Sequence, residues 1–152
     1  MQLTLEPDTI IWPETHYVYI EKTGPFMTNA PAAWQELHKR IPELEALNYQ
    51  ITGYHSLYEG GPQIYRAGVS LSARPDDLPV GLHYEHFHGG PYLRFTLIGP
   101  YSQLGEASGR VWQYIEDNGI AIRDDFAIEN YVNDPRTTDE SHLITEILLP
   151  SA

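Results

Sequence analysis

An internal repeat constrains this chain more than any other feature. Tyr17–Phe26 reads YVYIEKTGPF, and Tyr92–Tyr101 reads YLRFTLIGPY. Each copy is a strand-like run that ends in Gly-Pro-aromatic, with the glycine seven residues after the tyrosine, and the two copies are 75 residues apart. A tyrosine followed at plus four by a proline also recurs, at Tyr58 and Tyr131, which are 73 residues apart. The sequence therefore predicts a single domain over residues 1–152, built from two related halves with a ligand groove where the halves meet.

The first half is predicted over about residues 15–71, with the element order β-α-β-β. Its first strand, Tyr17–Ile20, consists of β-branched and aromatic residues. The helix that follows carries apolar residues at helical spacing, and Pro42 is expected to end or kink it. These residues are Trp34, Leu37, Ile41 and Leu44. Two further strands, at about 49–58 and 64–71, are joined by a Gly-Gly-Pro hairpin signal.

The second half, about residues 81–150, follows a connector at 72–80 and repeats the same order. Its helix is predicted to begin near Ser102, which can cap it. Its strands are predicted at about 82–88, 92–98, 126–131 and 143–149. Residues 1–14 contain two prolines and are predicted to form an extended arm or a short edge strand. The expected fold is therefore α+β, with an antiparallel sheet packed by two helices and a pseudo-two-fold relation between duplicated β-α-β-β halves.

The charge balance and the lack of cysteine exclude several functions. The chain has 9 Lys and Arg against 21 Asp and Glu, a formal net charge of −12, which disfavours direct binding of nucleic acid. It has no run long enough to span a membrane, and its N-terminus does not resemble a secretory signal. The absence of cysteine fits a reducing compartment, so a cytoplasmic location is expected. Eleven tyrosines and three tryptophans suit a binding site as well as a core.

Glu146 is the first candidate for chemistry. Strand alternation places its carboxylate on one face with Ile144 and Leu148, between aliphatic neighbours. Burial of an unpaired charge is expensive, so this carboxylate is predicted to be exposed at an edge, paired, protonated, or kept for a ligand. A carboxylate beside aromatic rings recognises a lipophilic cation. If apolar surroundings raise its pKa, the same group would instead act as an acid or base in a hydrolase.

Glu129 and Tyr131 form the second candidate, because alternation puts them on the same side of one strand, although such a pair is also typical of a solvated face. Three histidines crowd the strand predicted at 82–88, and their spacing matches no zinc signature. They are His83, His86 and His88. A polar, pH-sensitive surface is expected there, and no metal site is predicted. The chain also lacks a phosphate-binding loop and a nucleophile elbow, so no cofactor is predicted.

Several of these segments resemble the GyrI-like small-molecule-binding superfamily, which includes the effector-binding domains of AraC-type and MerR-type regulators. The resemblance is carried by the repeated Gly-Pro-aromatic elements, the helix end VWQYIEDNGI and the C-terminal segment FAIENYVNDPRTTDESHLITEILLP, and it covers about residues 15–150. It implies the duplicated fold described above, and it implies that Glu146 matches the buried glutamate that meets lipophilic cations in multidrug-binding members. The aromatic residues that it implies as pocket walls are Tyr17, Tyr92, Trp112 and Tyr131.

The predicted function is that of a stand-alone protein that binds a flat, hydrophobic and cationic small molecule, with Glu146 as counter-charge. A stand-alone form is expected because the fold begins within about fifteen residues of Met1, where the regulators carry a DNA-binding module. Related stand-alone proteins sequester drugs, inhibit gyrase by contact, or hydrolyse cyclopropane-bearing toxins. The alternatives are therefore a hydrolase that uses Glu146 and an inhibitor with a protein partner, such as gyrase or a regulator. The sequence leaves the natural ligand and the oligomeric state open.

Overall fold

The computed structural model describes all residues 1–152 and contains eight β-strands and two α-helices. The strands are β1 (Gln2–Trp12), β2 (Thr15–Thr23), β3 (Ile51–Glu59), β4 (Ile64–Leu71), β5 (His83–Phe87), β6 (Gly90–Ile98), β7 (Ala127–Tyr131) and β8 (Ile144–Pro150). The helices are α1 (Phe26–Ala46) and α2 (Leu104–Asp117). All the described strand pairings are antiparallel, which confirms the predicted α+β class. No helix is long and apolar enough to cross a membrane.

The chain forms two compact units. The central unit is Pro13–Gly89, and the terminal unit combines Met1–Trp12 with Gly90–Ala152. In the central unit the strands lie in the order β3-β4-β2-β5, and α1 packs against β2 and β4. Helix α1 buries Ala33, Leu37, Ile41 and Leu44. The sequence predicted that Pro42 ends or kinks this helix; the helix does not end there but continues to Ala46.

The terminal unit has the strand order β1-β6-β8-β7, and the closest approaches of α2 to its sheet are to β6 and β1. Helix α2 buries Ala107, Val111 and Ile115. The N-terminal segment, predicted as an arm or a short edge strand, is an eleven-residue strand at the edge of this unit. Its pairing with β6 is interrupted between Thr4 and Asp8, around Pro7, because proline cannot donate to a strand ladder.

Each β-α-β-β half pairs with one additional strand that comes from elsewhere in the sequence, and we call this the exchange of β1 and β5. β5 lies in the second half but pairs with β2 of the first, and β1 precedes the first half but pairs with β6 of the second. The compact units therefore do not follow the two sequence halves. The strand predicted at 82–88 is present as β5, but it belongs to the sheet of the central unit. Gly89 and Gly90, at φ values of 69° and 120°, redirect the chain between β5 and β6, a conformation that favours glycine. The ligand groove expected between the halves stays a prediction.

The repeated motif has the same conformation in both copies. Gly24 and Gly99 have φ values of 123° and 146°, which L side chains rarely adopt, and each is followed by the proline that precedes a helical segment. The tyrosines that open the motif are fully buried in both copies. The hydroxyl of Tyr17 donates to the carbonyl of His55 at 2.8 Å, and that of Tyr92 donates to the carbonyl of Phe126 at 2.8 Å. Both residues are therefore hydrogen-bonded parts of the core.

Candidate functional site

The register of the terminal unit places Glu129 on the face of the sheet that also carries Phe95. Residues directly opposite each other in antiparallel strands point to the same face. Glu129 lies opposite Ile147, and Ile147 lies opposite Phe95 on its other side. The ring of Phe95 contacts Tyr114 of α2 edge-on, with centroids 5.9 Å apart. Glu129 therefore lies on the face of the sheet that α2 contacts.

The carboxylate of Glu129 is half-buried and has no salt-bridge partner in the chain. Its one hydrogen bond comes from the hydroxyl of Tyr131, which donates to Oε1 at 3.0 Å, so Oε2 accepts none. Burial raises the pKa of Glu129 to about 6, and the Tyr131 hydrogen bond opposes this shift. An acid with a raised pKa and an unused oxygen atom is a candidate for a functional group.

One tyrosine hydroxyl contacts this carboxylate, and a second tyrosine ring packs on the first. Tyr131 is two residues further along β7 on the same face, and its ring packs edge-on against Tyr101 at a centroid distance of 5.4 Å. Tyr101 opens the short 3-10 turn that precedes α2 and is half-buried. Sequence reasoning missed Tyr101 as a site residue, although it is the aromatic residue of the second Gly-Pro-aromatic motif. Carboxylate and rings together suit a cationic aromatic ligand.

Glu146 lies on the opposite face of the same sheet, because it pairs with Thr96 and Asn130 rather than with the residues of the Glu129 face. Its Oε1 accepts a hydrogen bond from Asn130 at 2.8 Å, and its Oε2 lies 3.3 Å from Nη1 of Arg94. Arg94 also contacts Asp8 at 2.9 Å. The carboxylate that the sequence ranked first is therefore already compensated by partners within the chain, and its role in ligand binding stays a prediction.

The other predicted residues are placed differently from Glu129. Tyr17 and Tyr92 are fully buried core residues, and their role in ligand binding stays a prediction. Trp112 is 38% exposed on α2, next to the buried Val111. The three histidines of the β5 region are exposed, and no group of three or more His, Asp or Glu side chains is arranged to hold a metal ion.

The chain belongs to the GyrI-like family, because the family model of the GyrI-like small molecule binding domain matches residues 6–152. No curated protein matches the chain significantly.

Solved structures agree with this assignment at the level of the fold. The EcmrR C-terminal domain has a TM-score of 0.78 at 17% identity, with 99% of this chain and 98% of that chain covered. SAV2435 bound to tetraphenylphosphonium has a TM-score of 0.74 at 16% identity, covering 97% and 94%. A hydrolase from Listeria innocua has a TM-score of 0.59 at 14% identity, covering 97% and 92%.

Proposed function

We propose that this protein binds lipophilic aromatic cations at the Glu129 site of the terminal unit. The observation that carries the proposal is a half-buried carboxylate without a basic partner, hydrogen-bonded to Tyr131, whose ring packs against that of Tyr101. Keeping such a charge unpaired costs stability in the absence of ligand. A bound cation would compensate that cost, so the arrangement favours ligands of positive charge.

The protonation state of Glu129 supports this choice. With a pKa of about 6, the carboxyl group is ionised in about nine of ten molecules at pH 7. A cation that reached the face of either tyrosine ring would gain a further attraction, on the order of 0.5–2 kcal/mol. A neutral ligand would make the apolar contacts without these interactions with a positive charge. The apolar contacts would therefore contribute to affinity for any ligand, and the charge interactions would select for cations.

Two other findings support a small-molecule partner. The family model is that of a small-molecule-binding domain, and one structure with this fold contains tetraphenylphosphonium, a lipophilic cation. Another neighbour is EcmrR in a complex with DNA. The match to this chain covers 56% of the EcmrR chain. The lack of cysteine supports a cytoplasmic setting for the binding of a small molecule.

A pair of glutamine variants tests the proposal. In Glu129→Gln the shape and one acceptor oxygen stay while the charge is lost, so the affinity for tetraphenylphosphonium should fall by about tenfold or more, as expected for loss of a partly desolvated charge interaction. Affinity for neutral triphenylphosphine oxide should change little. Glu146→Gln, on the opposite face, is the matched control and should leave both affinities unchanged. Equal loss of both ligands in Glu129→Gln, or loss of the cation in Glu146→Gln, would refute the assignment.

Hydrolysis is a second candidate, because a carboxyl group with a pKa of about 6 is suited to general acid–base catalysis. In that case Glu129 would activate water, and the hydroxyl of Tyr131, which is 3.0 Å from its carboxylate, would position the substrate. Incubation with an electrophilic cyclopropane should then give ring-opened product over many turnovers, and Glu129→Gln should abolish it. Product that stops at one equivalent per chain would count against catalysis. We do not extend the proposal to gyrase, because that role rests on the family resemblance alone.

A further inference from the structure

The strand registers relate the two units residue by residue. The pairs that fix the correspondence are Tyr17–Ser70 and Tyr58–Tyr65 in the central unit, and Tyr92–Pro150 and Tyr131–Thr145 in the terminal unit. The edge-on ring pair formed by Phe26 and Tyr58 likewise corresponds to that of Tyr101 and Tyr131. Ser56 of β3 is therefore the counterpart of Glu129, and Tyr65 of β4 is the counterpart of Thr145.

In the central unit this place is filled by a side chain of the protein itself. The indole of Trp34, on α1, directs its Nε1–H at Ser56 Oγ, 3.1 Å away, and at the Tyr65 hydroxyl, 2.8 Å away. The Ser56 and Tyr65 hydroxyls are 2.6 Å apart. A planar aromatic ring with an N–H donor thus occupies the position that corresponds to the surroundings of Glu129.

The terminal unit has different residues at the positions that correspond to Trp34 and Tyr65. The buried residues Ala33 and Leu37 of α1 and Ala107 and Val111 of α2 occupy matching positions, so the counterpart of Trp34 is Ser108. The phenol of Tyr65 is replaced by the short side chain of Thr145. Helix α1 packs against β2 and β4, whereas α2 packs mainly against β6 and β1. The terminal unit therefore supplies an acid, whose Oε1 accepts from Tyr131, but no counterpart of the Trp34 indole to donate to its Oε2.

We propose that the site selects cations that carry an N–H, namely protonated aromatic nitrogen heterocycles, over quaternary cations of the same size and charge. The ligand would place a planar ring where the central unit places the Trp34 indole, and its N–H would donate to Oε2 of Glu129. This proposal rests on the proposed function and adds the chemical class and orientation of the ligand.

The hydrogen-bonding state of Glu129 supports this selectivity. Tyr131 already donates to Oε1, while Oε2 has no hydrogen bond within the protein. A charged N–H donor would give Oε2 a charge-assisted bond, which is about twice as strong as a neutral one. A quaternary cation has the same charge but leaves Oε2 without a donor, so it would gain only the Coulomb and ring interactions.

Two dyes that differ only in the substituent on the ring nitrogen test the selectivity. Acridine orange is protonated on its ring nitrogen at neutral pH and carries no other N–H, whereas 10-methylacridine orange is quaternary at that nitrogen. The wild-type protein should bind acridine orange about tenfold more tightly, the size expected for one hydrogen bond to a charged group. In Glu129→Ala the preference should disappear, and in the matched control Glu146→Ala it should remain.

Each other outcome has a distinct meaning. Equal affinities of the wild type for the two dyes would overturn the selectivity while leaving cation binding intact. A preference that persists in Glu129→Ala would show steric exclusion of the methyl group and would also overturn it. If the wild type binds neither dye nor tetraphenylphosphonium, the proposed function itself fails and the selectivity fails with it.

Discussion

Replacement of Glu129 by glutamine should stabilise the unliganded protein at neutral pH. The folded-state pKa of this carboxyl group, about 6, lies above its ordinary value of 4.5, so the native state binds the proton more tightly than the unfolded state does. The free energy of unfolding therefore falls as the pH rises from 4.5 through 6. Above that range, the full loss of stability caused by ionised Glu129 is present. Glutamine is neutral at every pH and retains an oxygen that can accept the Tyr131 hydrogen bond.

The magnitude follows from the size of the pKa shift. A shift of about 1.5 pH units corresponds to about 2 kcal/mol, since one unit is worth about 1.4 kcal/mol. At pH 7.5 the Glu129→Gln variant should thus be more stable by about 2 kcal/mol, and near pH 4 the two proteins should be about equally stable. For a chain of this size the gain corresponds to a rise in Tm of about 4–8 °C.

Urea unfolding at pH 4, 5.5 and 7.5, followed by tryptophan fluorescence, measures this effect. Wild type and variant are compared at the same pH, so that titration of the other groups cancels, and the m value should be unchanged. Glu146→Gln serves as the control, and loss of its Arg94 contact should cost about 1 kcal/mol or less at pH 7.5. A Glu129→Gln variant that is less stable than wild type at pH 7.5, or a difference that does not vary with pH, would refute the reasoning.

Three further predictions follow from the same geometry. Affinity for tetraphenylphosphonium should fall about tenfold between pH 7 and pH 5, because the cation requires ionised Glu129; titrations at the two pH values check this, and a flat profile would contradict it. Thr145→Val should stabilise the protein by about 1 kcal/mol in urea, because Oγ1 of Thr145 is buried without a hydrogen-bond partner; destabilisation would show that the hydroxyl is satisfied. Calorimetry should find one cation per chain despite the duplication, since Trp34 fills the counterpart site, and two equal sites would contradict that role.

The local parts of the fold could be predicted from the sequence. The repeated motif located two corresponding strands, and the helical spacing of Leu37 and Ile41 located α1 and its buried face. These features depend on neighbours within a few residues. The exchange of β1 and β5 could not be predicted, because it depends on which distant strand each segment pairs with. Pro42 was expected to end or kink α1; the helix does not end there but continues to Ala46, with Ile41 and Leu44 of its buried face on either side of the proline.

The candidate site was predicted only in part, for a similar reason. Glu146 ranked first because its neighbours along the strand are aliphatic, but its surroundings are set by Arg94 and Asn130 on the two flanking strands. Glu129 ranked second because a Glu-Tyr pair is typical of a solvated strand face. Its raised pKa comes from burial, which alternation along the strand does not reveal.

The exchange of β1 and β5 has a consequence for how the chain can be divided. A cut in the connector at 72–80 would leave each fragment with one strand whose pairing partner is on the other fragment. Neither piece could complete its own sheet, so the two would order only by reassociation, as in fragment complementation.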